Sequence, residues 1–296
     1  MDGVIYNCVN DVNFTVSNCT FINGECSYGG VVFNVAANFT VSNSIFINNS
    51  ALNGGAIYNL RGVNFTIDNS TFINNIYSMY GGAIMNNGSV HCTVLNSRFE
   101  NNSTMSGDAI YNMAVNCTVS NSIFVNNTAD ECGAIYSASS FAANDNWWGN
   151  NNPDFKNLVN NKVVNDNYIV LNLIATNSTV KVNFYRNGTT EVLSISCNFT
   201  LAIGDNITTR KIVNGSFKAN YTSLTGNYDV TVNVNNQKLS INFVGRIYVN
   251  PDEGDNSYDD NSWDNAVKTI AKAIEIAPVG GEIYLADGTM LWVIIH

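Results

Sequence analysis

Gly54–Gly55–Ala56–Ile57–Tyr58–Asn59 is the stretch that decides the fold, because the chain repeats it. The phrase returns as Gly29–Gly30–Val31–Val32–Phe33–Asn34, as Gly81–Gly82–Ala83–Ile84–Met85–Asn86 and as Gly107–Asp108–Ala109–Ile110–Tyr111–Asn112. Looser copies run Asp2–Gly3–Val4–Ile5–Tyr6–Asn7 and Cys132–Gly133–Ala134–Ile135–Tyr136–Ser137. A period of about 25–27 residues signals stacked repeats rather than an ordinary globular core. Between the copies runs a second phrase, Asn64–Phe65–Thr66–Ile67–Asp68–Asn69–Ser70–Thr71–Phe72–Ile73–Asn74–Asn75, with counterparts beginning at Asn13, Asn38, His91 and Asn116.

Each period holds three short apolar runs, at Ile57, at Phe65/Ile67 and at Phe72/Ile73. β-branched and aromatic residues fill them, and Gly, Asn and Ser separate them, which is strand-and-turn punctuation without helical spacing. If one period is one turn of a coil, equivalent residues stack about 4.8 Å apart, the distance between neighbouring strands. Alternation then sets Phe65, Ile67 and Asn69 on one side. The same parity predicts an inward amide ladder of Asn18, Asn43, Asn69, Asn96 and Asn121, each satisfied by its copies above and below.

The net charge of −10 speaks against nucleic acid, which needs grouped Lys and Arg on the binding surface. Only 12% of residues are charged, and roughly one in six is Asn, far above ordinary usage. Residues 1–155 contain no Lys and only Arg61 and Arg98. Seven Cys is an odd number, so at least one is unpaired or bonded outside the chain. Cys92 and Cys117 stand where Phe65 stands in its own period; they read as small apolar packing, with a rung-to-rung disulfide as the second reading. No apolar run is long enough to span a membrane, and Met1 leads directly into a repeat, so the chain reads as a fragment of a longer protein.

The pattern dissolves after Tyr136, and Trp147–Trp148–Gly149 with Pro153 then reads as a cap: Trp147 and Trp148 cover the last coil, with sugar stacking as the alternative role for their rings. This closes a β-helix domain at residues 1–155. Residues 156–244 carry alternating runs with turn signals at Asn187–Gly188, Gly204–Asp205, Asn214–Gly215, Gly226–Asn227 and Asn235–Asn236, which predicts an antiparallel sandwich of immunoglobulin-like type. Residues 245–296 read as a strand from Arg246, an acidic loop, a helix Trp263–Ala277 capped by Asn261 or Ser262, and a further strand at Glu282–Ala286. Asp252, Asp255, Asp259 and Asp260 in that loop are calcium candidates, although their spacing departs from a calcium hand and a solvated acidic turn is the simpler reading.

The Gly-Gly-Ala-Ile-Tyr-Asn and Phe-Ile-Asn-Asn phrases resemble the pectate-lyase-like right-handed β-helices of adhesin-like surface proteins from methanogenic archaea, and the polymorphic outer-membrane repeats of some bacteria. Asn146–Trp147–Trp148–Gly149 with Pro153–Asp154–Phe155 is similar to the segment that closes such a helix. Residues 246–289 resemble the start of another one, cut short. The resemblance implies an all-β chain: a right-handed parallel β-helix, an immunoglobulin-like sandwich, and the truncated start of a second β-helix with its capping helix and strand. It further implies export, display at the cell surface, and partners among cell-surface glycans, proteins of another cell or a cell-wall polymer.

Chemistry is sparse in the sequence. Polysaccharide lyases of this fold need an Arg or Lys base beside carboxylates, and hydrolases need paired carboxylates. Arg61, Arg98 and Asp68 do not converge by register, Asp108, Asp130 and Glu131 read as a solvated edge, and His91 replaces a turn Asn. No catalytic residue and no bound cofactor is therefore assigned. The expected function is a non-catalytic adhesin or stalk that attaches through its repetitive surface, with a polysaccharide lyase or hydrolase as the alternative.

Overall fold

The fold is taken from a computed structural model describing all residues except 1–3, 9–12, 36–37, 78–79, 108, 177–178, 221–227, 244, 259–262, 278–281 and 288–296. It is all-β, and it divides into two compact units. One comprises Met1–Leu171 with Phe184–Ile195 and Asn235–Gln237, the other Asn172–Asn183 with Ser196–Val234 and Lys238–His296.

The first unit is built on a parallel β-solenoid. Ile5–Asn7, Val32–Asn34, Ile57–Leu60, Ile84–Asn87, Ile110–Asn112 and Ile135–Ser137 pair side by side in one six-stranded sheet, so the chain makes six turns. Ile57 lies beside Val32 and Ile84, as stacked repeats require. The Asn64–Asp68 and Thr71–Ile73 strands belong to two further sheets of in-register copies. A fourth sheet goes beyond the three apolar runs of the repeat: Glu25–Tyr28, Ser50–Asn53, Ile76–Tyr77, Ser103–Ser106 and Thr128–Glu131 also pair in parallel. These strands are short and largely polar, so no apolar alternation marks them; only their matching position in the repeat makes them pair.

Aromatic rings fill the interior in columns. Phe46, Phe72, Phe99 and Phe124 stack with centroids 4.8–5.0 Å apart and planes within 5°. A second column runs Phe14, Phe39, Phe65, and continues in register through Cys92 and Cys117 to Phe141. Glycine pairs let the coils close. Gly54 sits at φ +66°, and a Cβ on Gly55 would lie 2.0 Å from the carbonyl oxygen of Gly82 in the next turn.

An inward amide ladder exists, but not at the residues expected, of which Asn69 still donates to Asn43 at the surface. Asn18, Asn43, Asn69, Asn96 and Asn121 all adopt left-handed φ of 46–54°, and the first four are exposed. A left-handed residue ends the two-residue alternation: it turns the chain a corner and sends its own side chain out, so counting parity through it fails. Asn tolerates this conformation better than most residues. The residue after it points in. Hence Ser44, Ser70, Ser97 and Ser122 are buried, and each hydroxyl accepts the backbone N–H of the equivalent residue one coil earlier.

Two true amide ladders result. Asn7, Asn34, Asn59, Asn86 and Asn112 donate in sequence from Nδ2 to the next Oδ1 at 2.7–2.9 Å, and Asn112 ends the run on the Ser137 hydroxyl. These are the last residues of the repeated Gly-Gly-Ala-Ile-Tyr-Asn phrase. The second ladder runs Asn49, Asn75, Asn102 and Asn127 at 2.9–3.0 Å, and each of its bonds is reinforced by a backbone N–H from the previous coil.

Parallel pairing continues beyond the Pro153 turn. After the short helix Phe155–Leu158, Val163–Val164 joins Phe141–Ala142, and Asn146 bridges Tyr168.

Antiparallel strands follow. Ile169–Ala175, Thr179–Arg186 and Ser216–Asn220 form one sheet; Asn206–Ile212, Cys197–Ile203, Tyr228–Val234 and Gln237–Phe243 form another. The turn residues Gly188, Gly204, Asn214, Gly215 and Asn235 take the positive φ that their positions predict, and Gly226–Asn227 lies outside the described residues.

At the carboxyl-terminal end Arg246–Val249 pairs in parallel with Glu282–Leu285. The continuous helix expected over Trp263–Ala277 is instead a 3-10 turn, Trp263–Asn265, and a helix, Ile270–Ile276. Val267 divides them: its N–H donates to Tyr248 O and its carbonyl accepts from Asn250 N, which takes the segment into the sheet and out of the helix. The helix cap is accordingly Thr269, whose hydroxyl accepts from Lys272 N at 3.2 Å; Asn261 and Ser262 lie outside the described residues.

Candidate binding surface

Side chains that alternate with the core residues point outward, and repetition makes columns of them too. On the six-stranded sheet the outward column is Tyr6, Phe33, Tyr58, Met85, Tyr111 and Tyr136. Phe33 and Tyr58 lie with centroids 5.2 Å apart and planes 3° apart; Tyr111 and Tyr136 are 4.8 Å apart at 7°. Tyr28 leans over Phe33 and Tyr58, and Tyr80 over Tyr111. Tyr6, Tyr28 and Tyr80 are exposed, while Tyr58 and Met85 are covered. The column spans five coil steps, about 24 Å at strand spacing.

The neighbouring sheet carries polar columns. Thr15, Thr40, Thr66, Thr93 and Thr118 are register partners in sequence, with Ser17, Ser42, Asp68, Leu95 and Ser120 two residues on. Along its rim Asn64 donates to Asn38 and Asn38 to Asn13, each at 2.8 Å. The left-handed asparagines add another exposed row, in which Asn69 donates to Asn43 at 2.7 Å and Asn96 to the Asp68 carboxylate at 2.8 Å. The fourth sheet contributes an open hollow of about 400 Å³ lined by Glu25, Cys26, Ser27, Ser50, Ala51 and Leu52.

The sequence candidates for chemistry do not come together. Arg61 is an exposed left-handed turn residue. Arg98 pairs with Glu100 two residues along its own strand, at 2.8 Å. His91 is exposed beside Asn64, Asp130 is exposed, and Asp108 lies outside the described residues. Asp252 and Asp255 are exposed, and Asp259 and Asp260 lie outside the described residues. The Ser257 backbone N–H, with its side chain, holds the Asp255 carboxyl below the usual carboxylate range. Among the described residues no group of three or more His, Cys, Asp or Glu is placed to hold a metal ion.

Trp147 and Trp148 are buried, which removes both rings from any sugar-stacking role. Trp148 stacks on Phe124 at 4.9 Å and so ends the inner Phe column, with Phe155 edge-on behind it. Trp147 donates from Nε1 to Asn235 Oδ1 at 2.9 Å and packs against Phe184. Arg186 grips both carboxylate oxygens of Asp145 at 2.7 and 2.9 Å and also bonds Glu191, which fixes the corner beside these rings.

Comparison with protein-family models, with curated proteins and with solved structures finds no match to this chain. Among the described residues no helix is long and apolar enough to cross a membrane.

Proposed function

We propose that the chain is a segment of a non-catalytic, surface-displayed attachment protein, in which the solenoid presents similar weak contacts on successive coils. The observation that carries this reading is the register of the outward columns: Thr15 to Thr118 repeats at every step of one sheet, and on the next Tyr6, Phe33, Tyr58, Tyr111 and Tyr136 are broken only by Met85, with Tyr58 and Met85 covered. The exposed rings of Tyr6, Tyr28 and Tyr80, with rows of hydroxyls and amides on the same solenoid, suit glycans, whose rings offer C–H faces and whose edges offer hydroxyls. Contacts linked on one stiff scaffold add avidity, which multiplies weak single-site affinity by about 10²–10⁴. The antiparallel sheets fit the same reading as an immunoglobulin-like spacer, and exposed Asn187 and Asn206, each in an Asn-x-Thr triplet, would be sites for glycans on an exported chain.

A glycan array, run beside an activity screen on acidic polysaccharides, tests the proposal. The expected result is binding to a polymeric glycan, with no cleavage. Replacing Tyr28, Tyr80 and Tyr136 by Ala should weaken that binding at least tenfold, while far-ultraviolet circular dichroism stays unchanged. An array with no binding sinks the attachment reading, and release of unsaturated sugars replaces it with a lyase.

A further inference from the structure

The inner column that begins Phe14, Phe39, Phe65 changes chemistry once, where Cys92 and Cys117 follow each other. Both are buried, at 1% and 2% exposure, and among the described strand pairs they are the only cysteines that are register partners. In-register parallel neighbours have Cα atoms about 4.8 Å apart, inside the roughly 4.4–6.8 Å window a disulfide needs. Their side chains leave the same side of the sheet, so rotation about χ1 turns the sulfurs toward each other, and a small approach of the two coils brings the Cβ atoms within the roughly 3.5–4.5 Å that a disulfide needs. Cys117 Sγ already lies 3.2 Å from Asn112 Oδ1, with the Asn86 amide at 4.0 Å. We propose that Cys92 and Cys117 are an oxidation site, a thiol pair that closes into a staple between two successive coils when a hydroperoxide reaches it.

The two thiols are unequal. A hydrogen bond to Cys117, followed by burial, pushes the Cys92 thiol well above its usual range, and the same hydrogen bond draws the Cys117 thiol below it. Either sulfur can attack as its thiolate, and the atoms balance in the same way with Cys117 in that place. Its sulfur takes the near oxygen of the peroxide, the O–O bond breaks, and the departing hydroxide collects the Cys117 proton as water. Cys92 sulfur then attacks the resulting Cys117 sulfenic acid. The S–O bond breaks and the second hydroxide leaves as water with the Cys92 proton. Two thiols and one hydrogen peroxide give one disulfide and two waters, and a dithiol reductant reverses the change. Hydrogen peroxide is small enough to enter through local opening of a coil, whereas a glutathione-sized disulfide is not.

The bond would close one full coil in the middle of the rod, so its effect is mechanical: it ties two turns of the solenoid against unwinding. In the test, the folded full chain is treated with hydrogen peroxide, its remaining thiols are alkylated, and the protein is then denatured, digested and analysed by mass spectrometry. The expected product is a cross-linked peptide pair containing Cys92 and Cys117, lighter than the two reduced peptides by two hydrogens. Melting of the solenoid should rise by about 5–10 °C and return on reduction. Cys8→Ser should retain the rise and Cys117→Ala should lose it. Recovery of Cys92 and Cys117 as free thiols, or as separate sulfinic acids, under conditions that oxidise exposed Cys8 overturns the proposal. Because the cross-linked peptide is sought in the unsubstituted chain, its presence or absence decides the matter even if Cys117→Ala does not fold.

Discussion

The coils between Ile5 and Val164 and the antiparallel strands between Thr179 and Phe243 both bury one face of their sheets, yet they bury different residues. The strands bury Val180, Val182, Phe184, Phe199, Leu201, Val230 and Val232, and Asn183 is their one buried polar side chain among the described residues. The coils bury Asn34, Asn59, Asn86 and Asn112 in one column and Asn49, Asn75, Asn102 and Asn127 in another. A buried amide needs a partner at fixed distance and direction, and leaving it without one costs about 1–3 kcal/mol. A stacked copy supplies that partner at every step with no further design. An antiparallel pair faces a different residue at each position, so every buried amide would need its own matched acceptor.

The sharpest way to break this contrast is Asn75→Leu. Asn75 Oδ1 accepts from both the backbone and the side-chain amide of Asn49, and its Nδ2 donates to Phe46 O and to Asn102 Oδ1. Losing all four strands groups in two neighbouring coils and should cost about 3–5 kcal/mol by urea titration. A loss below about 1 kcal/mol would mean that the ladder is incidental to the core. Gly55→Ala comes next. The new methyl meets the Gly82 carbonyl, which belongs to the backbone of the adjoining coil and cannot swing aside; the expected cost is about 1–3 kcal/mol. Gly188, in a hairpin turn with nothing within 4 Å of the same methyl, bears only the strain of its positive φ.

The border of the repeat refines the comparison. Trp147→Phe loses the bond to Asn235 and should lower stability by about 1 kcal/mol. Trp148 Nε1 has no hydrogen-bond partner, so Trp148→Phe keeps a ring on Phe124 and gives up no such bond; it should cost less than Trp147→Phe in the same titration. The opposite ranking would mean that the end of the column depends on the bulk of the Trp148 indole more than on the Trp147 bond.

How much of this was legible follows from the same physics. The period, the stacking of Ile57 on Ile84 and the inward Phe columns could be read from the repeated phrases, because each depends on like residues meeting like. The fourth strand could not: Ser50–Asn53 and Ser103–Ser106 have no apolar alternation, and they become strands by pairing with their copies. The ladder was legible as a principle and misplaced by one corner, since Asn69 and Asn75 look alike in the sequence and only the backbone separates them. The corner pairs of the repeated phrase, such as Asn69–Ser70 and Asn74–Asn75, put the first residue in the left-handed corner and the second inside, but in Asn86–Asn87 the first is the buried one, so the pair alone is no signal without its place in the repeat. The helix boundary failed for a different reason, because Val267 has helical spacing on paper but finds a strand beside it. Of the candidate surface, the Thr and Asn rows were legible, whereas the outward Tyr column was hidden inside the phrase that defined the core.

The smallest expected effect gives the cleanest discrimination between the two kinds of asparagine. Asn69 is exposed at φ 46°, and its side chain donates to Asn43 at the surface. Asn69→Gly removes that exposed bond but relieves the left-handed backbone of its Cβ, while loosening the unfolded chain. These terms oppose each other and should leave stability within about 0.5 kcal/mol of the parent. The same change at Asn75 has no strain to relieve, since that residue does not take a positive φ, and it empties a buried site. Hydrogen exchange should then show no change in the coil around Asn69 for glycine there, and lost protection at the Asn49 N–H for glycine at position 75. Equal effects at the two sites would mean that the inward and outward columns share one role, and the distinction between a core ladder and a turn row would fail.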